Sequence, residues 1–390
     1  MSGDFRDEVR TWLGEHLTGE FAALRGKGGP GSEHEMFEER RAWDQHLATH
    51  GWTCLGWPEE YGGRGLSLAQ QVVFHEEYAR ADAPARVNHL GEELLGPTLI
   101  AFGTEEQQAR FLEPIRTVQE LWCQGYSEPG AGSDLAAVST RARREGDEWV
   151  VDGQKVWTSM AHLSDWCFVI ARTEPGSERH AGLSFLLVPL DQEGVDVRPI
   201  RQLTGTSEFN EVFFSGARTA ADLVVGEPGD GWRVAMALLG FERGVSTIGQ
   251  QVGFARELAA VVDLARSNAA IEDPVIADRL AQATVGLEVM RVNAVRTLTE
   301  NLAGGTEQRG QDNIAKLVWA AWHRDLGSLA MDVLGPAGLT ADGAEDLSEW
   351  QRRFLFTRSD TIYGGSDEIQ RNVLSERVLG LPREPKGAST

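Results

Sequence analysis

Apolar residues recur at helical spacing along the first part of the chain. The pattern predicts helices over Asp4–Leu17, Glu33–His50, Leu68–Ala81, Leu94–Phe102 and Glu105–Ile115. Thr104 with Gln107 reads as a capping box opening the last of these. Between them, Gly51-Trp52 and Trp57–Gly63 form a turn-rich connector, expected to be a packed loop anchored by its two Trp. From about Trp122 to Val225 the period shortens. Glu148–Val151 and Lys155–Ser159 flank Asp152-Gly153, a hairpin signal. Trp166–Ala171, Leu183–Pro189 and Asn210–Phe214 are rich in β-branched and aromatic residues and predict further strands. Gly226–Gly231 then punctuates the chain. Long helices are expected over Trp232–Arg266, Val275–Ala303, Asn313–Leu334 and Ile369–Gly380.

This order gives an α+β multidomain fold class. An N-terminal helical domain spans 1–120, a middle β-barrel or sandwich domain 121–228 and a C-terminal helical bundle 229–380, with a tail over 381–390. The net charge of -22 opposes a nucleic-acid surface, which needs clustered Lys and Arg. No uncharged apolar run reaches the roughly twenty residues of a membrane span, so no membrane partner is expected. Phe5–Leu17 alternates apolar with charged residues, unlike a secretory signal. Cys54, Cys123 and Cys167 lie in apolar surroundings without metal-ligand spacing and read as reduced buried thiols of a cytoplasmic protein.

Gln124–Asp134 (QGYSEPGAGSD) and Gly153–Ser159 (GQKVWTS) carry the chemistry. Gly130 and Gly132 permit positive φ and close approach to a bulky ligand. The hydroxyls of Ser127 and Ser133 and the loop amides suit ring heteroatoms or diphosphate oxygens. Trp157 offers an aromatic face and Ser159 a small hydroxyl beside it. The helix from Trp232 places Ala235, Leu238, Leu239, Glu242, Val245 and Gly249 on one face. Glu242 therefore sits on an apolar stripe, where an unpaired carboxylate is costly. The pattern alone leaves two readings of it, a structural carboxylate bonded to a helix end or an Arg, and a functional acid or base. His46 and His50, four apart on a helix, read as a solvated face, since no third ligand keeps suitable spacing; no metal is expected. Glu76-Glu77 and Glu92-Glu93 read as surface charge.

The two runs together resemble the flavin-contacting core of the acyl-CoA dehydrogenase family. The resemblance implies FAD as cofactor, an acyl-CoA substrate desaturated between its α and β carbons, and an external electron acceptor such as an electron-transfer flavoprotein. It carries flavin contacts onto Tyr126, Ser127, Gly132, Ser133, Trp157 and Ser159, where Ser159 replaces a usual Thr. Ser366 and Glu368 match positions that reach the dinucleotide. Many members carry their base in a Tyr-Glu-Gly-Thr run; the matching run here is Tyr363-Gly364-Gly365-Ser366, and Gly364 cannot abstract a proton. In one branch, including isovaleryl-CoA and long-chain enzymes, the base is in a Glu-Arg pair matching Glu242-Arg243. That assigns the base to Glu242 and the thioester end of the CoA cleft to Arg243, with Ser133 also beside substrate. Gly364 keeps the backbone N–H that the family uses as an oxyanion donor, and its missing side chain leaves room for a branched or bulky acyl group.

Two departures concern assembly. Arg266 stands where the family has an Arg that holds a neighbouring subunit's flavin, but no Phe-Gly turn follows, and Asp332 replaces a common Gln. The chain thereby resembles subunits of bacterial α2β2 heterotetramers, beside the ordinary homotetramer. The alternative functions are a non-catalytic or partner-dependent subunit, and an oxygen-using flavin enzyme on the same fold.

Overall fold

The computed structural model describes residues 2–241, 246–302, 311–341, 343 and 346–383. The chain forms two compact units, Met1–Val245 and Ser246–Thr390.

In the first unit, helices α1 (Ser2–His16), α2 (Phe37–Thr49) and α3 (Leu68–Arg80) close on one apolar cluster. Phe5, Val9 and Leu13, spaced by four, meet Trp43 and Leu47 of α2 and Val73, Phe74 and Tyr78 of α3. Trp43 Nε1 donates to the Tyr78 hydroxyl at 2.9 Å, which donates onward to the Pro84 carbonyl at 2.8 Å. Trp52 and Trp57 of the connector are buried, as expected. Glu77 and Glu92 are not surface charge. Glu77 is enclosed by Arg6, Arg10 and Arg80, and Glu92 accepts from Arg86 and from the amide of Cys54. Several guanidiniums compensate these desolvated carboxylates, a feature that residue type alone conceals.

The expected helix over 94–102 is a π turn, Leu90–Leu95, continued by α4 (Gly96–Phe102). A Cβ on Gly96 would lie 1.9 Å from Trp57 Cζ2, so only glycine lets this turn lie on the indole. Helix α5 (Glu105–Arg116) opens with the Thr104/Gln107 capping box. The capping Gln107 also donates to the carbonyls of Asp222 and Val224 at 2.6 and 2.8 Å, joining the helix to the strand region.

The strands are β1 (Trp122–Gly125), β2 (Arg141–Glu145), β3 (Glu148–Ser159), β4 (Trp166–Arg172), β5 (Leu183–Pro189), β6 (Val195–Ile200), β7 (Phe209–Ala220) and β8 (Val224–Val225). They form one sheet in the order β6-β7-β3-β2-β4-β5-β8, with β1 parallel to β4. The hairpin turn expected at Asp152-Gly153 is absent, and β3 runs through it. The turn is Gly146-Asp147, closing the Glu145–Glu148 pair with positive φ at Gly146. The register shifts just before Gly153, between Val151 and Asp152, where Gly216 of β7 is the extra residue, and a Cβ on Gly153 would lie 2.4 Å from Thr140 Oγ1. Gly153 therefore answers a close approach of the neighbouring chain rather than a turn. Strand β6 was not expected. It is polar, carries Pro199 and lies at one end of the order, where a missing N–H is tolerated.

Alternate residues of β4 feed two cores. Phe168 and Ile170 face the helices, with Leu99 and Phe111; Cys167, Val169 and Ala171 face Val151, Val212 and Phe214. Helix α6 (Gly231–Phe241) buries Val234, Ala235 and Leu238 in the first core. All three cysteines are buried free thiols.

In the second unit, α7 (Ser246–Ser267), α8 (Pro274–Leu302) and α9 (Gln311–Leu334) share a core of Leu258, Val261, Ala265, Leu280, Leu326, Leu329, Ala330 and Val333. The helix expected over Trp232–Arg266 is described as α6 and α7, with 242–245 outside the described residues. Helix α10 (Glu349–Phe356) was not expected, although Ser348 and Gln351 form its capping box. Gln351 also reaches the carbonyls of Gly338 and Thr340, both at 2.9 Å. Helix α11 (Asp367–Val373) ends in a π turn over Leu374–Val378. Among the described residues, no helix is long and apolar enough to cross a membrane.

Candidate active site

Tyr126 leaves β1 buried, its ring edge-on to Phe168 and Phe185. The chain then turns tightly, with Glu128 and Ala131 exchanging backbone hydrogen bonds at 3.1 and 3.0 Å. Glu128 anchors the turn from below. It accepts from the amides of Ser139 (2.6 Å) and Thr140 (2.9 Å), from Ser139 Oγ (2.7 Å) and from Lys155 Nζ (2.8 Å). Burial works against the Glu128 carboxylate, but Lys155 and these donors hold it down to about 2. Lys155 is wholly buried and also donates to the carbonyls of Tyr126 (3.1 Å) and Ile170 (2.8 Å). Burial lowers its pKa against the pull of Glu128.

The amide of Val156 donates to the Ser127 carbonyl at 2.9 Å, setting the two sequence runs side by side. One residue further, β3 bulges between Lys155 and Thr158. There Trp157 adopts φ +59° and stands 59% exposed, an uncommon conformation for a bulky residue. Ser127 and Ser159 are half-buried, and Gly132 and Ser133 exposed. Neither Gly130 nor Gly132 uses positive φ, contrary to expectation; a Cβ on either would meet nothing within 4 Å. Their contribution is open space above a rigid turn. Thr158 Oγ1 is buried without a hydrogen-bond partner among the described residues.

In the second unit, Gly364 and Gly365 have φ +63° and +84°, and a Cβ on Gly364 would meet no atom within 4 Å. Gln370 Nε2 donates to the Gly364 carbonyl at 2.9 Å, and its own carbonyl accepts from Asn313. Lys316 Nζ donates to the Asp360 carbonyl at 2.6 Å, and the Tyr363 hydroxyl to Asp360 Oδ1 at 2.9 Å. Behind Asp360, His323 lies 2.7 Å from both Asp360 Oδ2 and Glu257 Oε2. Burial opposes charge on this imidazole, yet the two carboxylates raise it to about 9. Ser366 caps α11 by accepting from Ile369 N, and Glu368 is exposed in the first turn.

Glu242 and Arg243 lie outside the described residues. Arg266 pairs with Asp263 at 3.3 Å, and Asp332 with Arg279, so both departures are locally neutralised. The supports of the loops were missed from sequence. Glu128 and Lys155 stand inside the two quoted runs, but Ser127 and Pro129 flank the one and Gln154 and Val156 the other, so no local signal marked a buried pair. Nothing local pointed to His323 or Asn313, whose partners lie 37 or more residues away.

The chain matches the acyl-CoA dehydrogenase N-terminal domain over residues 3–119, the middle domain over 123–217 and the C-terminal domain over 229–379. It is 69% identical over 384 residues to acyl-CoA dehydrogenase IpdE1 of Mycobacterium tuberculosis, covering 98% of this chain and 99% of that one. It is 65% identical to IpdE1 of Mycolicibacterium smegmatis with the same coverage. Among solved structures, it resembles the Tcur3481-Tcur3483 steroid ACAD with TM-score 0.83 and 31% identity, over 98% of each chain.

Proposed function

Since this chain belongs to the acyl-CoA dehydrogenase family, we propose that it desaturates a bulky acyl-CoA thioester at the α and β carbons, with FAD as cofactor and Glu242 as base. The observation that supports the reading best is the Val156–Ser127 hydrogen bond, which places a strained, exposed Trp157 beside an open glycine turn. Backbone strain of this kind persists where function needs it. Bound FAD would supply the hydride acceptor. An open turn without Cβ obstruction, an exposed indole and an unpartnered Thr158 hydroxyl fit a large planar ligand with polar edges. Tyr126, Ser127, Gly132, Ser133, Trp157 and Ser159 would hold it; in the second unit, Ser366 and Glu368 match family positions that reach a dinucleotide.

An α-proton is a weak acid, so its base must be desolvated and poised near the working pH. In the sequence Glu242 keeps the helical spacing of Ala235 and Leu238, both buried, as a desolvated base requires, and Gly364 carries no side chain that competes for the role. The Gly364 N–H serves the thioester oxygen, where a preorganised donor stabilises developing charge. On the family resemblance, Arg243 and Ser133 would meet the thioester end.

The bare, open Gly364 suits an α-branched or ring-bearing acyl group, and a steroid-derived chain is the class that the similar Tcur3481-Tcur3483 enzyme suggests. That relative is named for two chains, so a partner-dependent α2β2 assembly is the second reading. Two features favour it. Arg266 and Asp332 are occupied by local ion pairs. Val285, Val289, Val292 and Val295 also form an exposed stripe on α8 at spacings of four and three, an apolar face that a partner would cover.

The test is flavin content, mass in solution and anaerobic flavin bleaching with straight-chain, α-branched and steroid-side-chain acyl-CoAs, for the chain alone and with a co-expressed partner. Bleaching by the bulky thioesters is expected. A flavin-loaded protein bleached by none of them contradicts the reading.

A further inference from the structure

A third histidine, distant in sequence, completes the His46/His50 pair. His16 ends α1, and it meets His46 of α2 and His50 at its C-cap so that one ligand nitrogen from each lies within 4.8 Å of the others. We propose that His16, His46 and His50 form a binding site for one late first-row divalent metal ion, zinc in particular, that staples α1 to α2.

The donor set selects the ion. Three imidazoles without thiolate suit zinc, nickel, cobalt or copper rather than magnesium or calcium. Each ring has an available lone pair. His50 Nδ1 lies 2.8 Å from the His46 carbonyl, which can only accept, so the proton sits on Nδ1 and Nε2 is left for metal. A backbone carbonyl fixing a ligand's tautomer is the usual outer support of a metal-bound histidine. His16 Nδ1 and His46 Nε2 share one proton at 2.8 Å. A metal takes its place when that proton moves to the donor ring's other nitrogen, leaving both rings neutral. Two nitrogens on tetrahedral zinc, at about 2.0–2.1 Å from the ion, stand roughly 3.3 Å apart, so the pair opens by about half an ångström. The His16 ring is stacked on Trp12 at 4.3 Å and 14°, which fixes its plane, while His50 is exposed and gives an entry path.

Electrostatics agree. Burial, then His50 and His16, lower the His46 pKa, favouring the neutral ligand form, and the Glu20 carboxylate nearby offsets the charge of a cation. Three rings crowded on one helix pair with a single carboxylate nearby repel when protonated and are reconciled by a metal.

The site is tested on untagged, chelator-stripped full-length protein by cobalt titration, followed through the visible ligand-field bands, with zinc competition and thermal melts. Wild type is expected to take up one ion per chain and to melt at higher temperature with zinc. His50→Gln, at an exposed position, and His16→Gln should each weaken uptake by about tenfold or more with circular dichroism and flavin content unchanged. Absence of saturable uptake by wild type, or uptake by both variants equal to that of wild type, overturns the proposal.

Discussion

Lys155 Nζ lies 2.8 Å from Glu128 Oε1 with both side chains buried, and the same ammonium holds the carbonyls of Tyr126 and Ile170. This pair ties β3 to the glycine turn and so fixes the position of the Ser127 loop. Removing one member leaves an uncompensated charge. Lys155→Met is expected to cost about 3–5 kcal/mol in denaturant unfolding and to lower flavin content. Replacing both with Glu128→Gln and Lys155→Met should cost less than the sum of the single changes.

The acid limb of stability carries the same pair. Glu128 has a pKa near 2 in the fold, below its ordinary value of 4.5. Its contribution is therefore complete above that ordinary value and declines as pH falls towards about 2. Urea midpoints across this range should fall less steeply in Glu128→Gln than in wild type.

His323 gives the opposite sign. Its pKa is raised from 6.5 to about 9, so its stabilisation is complete below the ordinary value and is lost as pH rises through about 9. Between those limits wild type should lose stability that His323→Gln, already weaker, does not lose. Equal slopes would mean that the imidazole is neutral between Asp360 and Glu257.

Trp157 is expected to matter for ligand rather than for folding. Trp157→Gly relieves the left-handed backbone, so unfolding free energy should stay within about 1 kcal/mol of wild type. Flavin affinity should fall about twofold to tenfold, as loss of about 0.5–1.5 kcal/mol of aromatic contact implies.

Gly364→Ala separates space from backbone. A side chain at φ +63° costs about 1–2 kcal/mol, although nothing lies within 4 Å to clash with it. Turnover of ring-bearing acyl-CoAs should drop more than that of unbranched ones, read as kcat/KM for the two classes.

Local rules made the helical parts legible. Phe5, Val9 and Leu13 keep their period because one face meets one core, and the Thr104/Gln107 box closes where its spacing says. The β region shows where local rules stop. Asp152-Gly153 and Gly146-Asp147 are both turn signals; the chain folds back at Gly146-Asp147, while Gly153 continues the strand against Thr140, a contact outside either signal's local pattern. Both flavin-loop runs were visible, but their Glu128–Lys155 support was not, because the partners lie 27 residues apart. His16 escaped for the same reason, 30 residues from His46. The Gly364 loop was legible as a motif, while the helices that hold it contribute single polar residues without any sequence period.

The role of Glu242 is tested most directly by anaerobic flavin bleaching with an active acyl-CoA, wild type beside Glu242→Gln. Bleaching of wild type and none of the variant, with flavin retained in both, is the expected result. Equal bleaching of the two proteins would make Glu242 a structural carboxylate and contradict its assignment as the base.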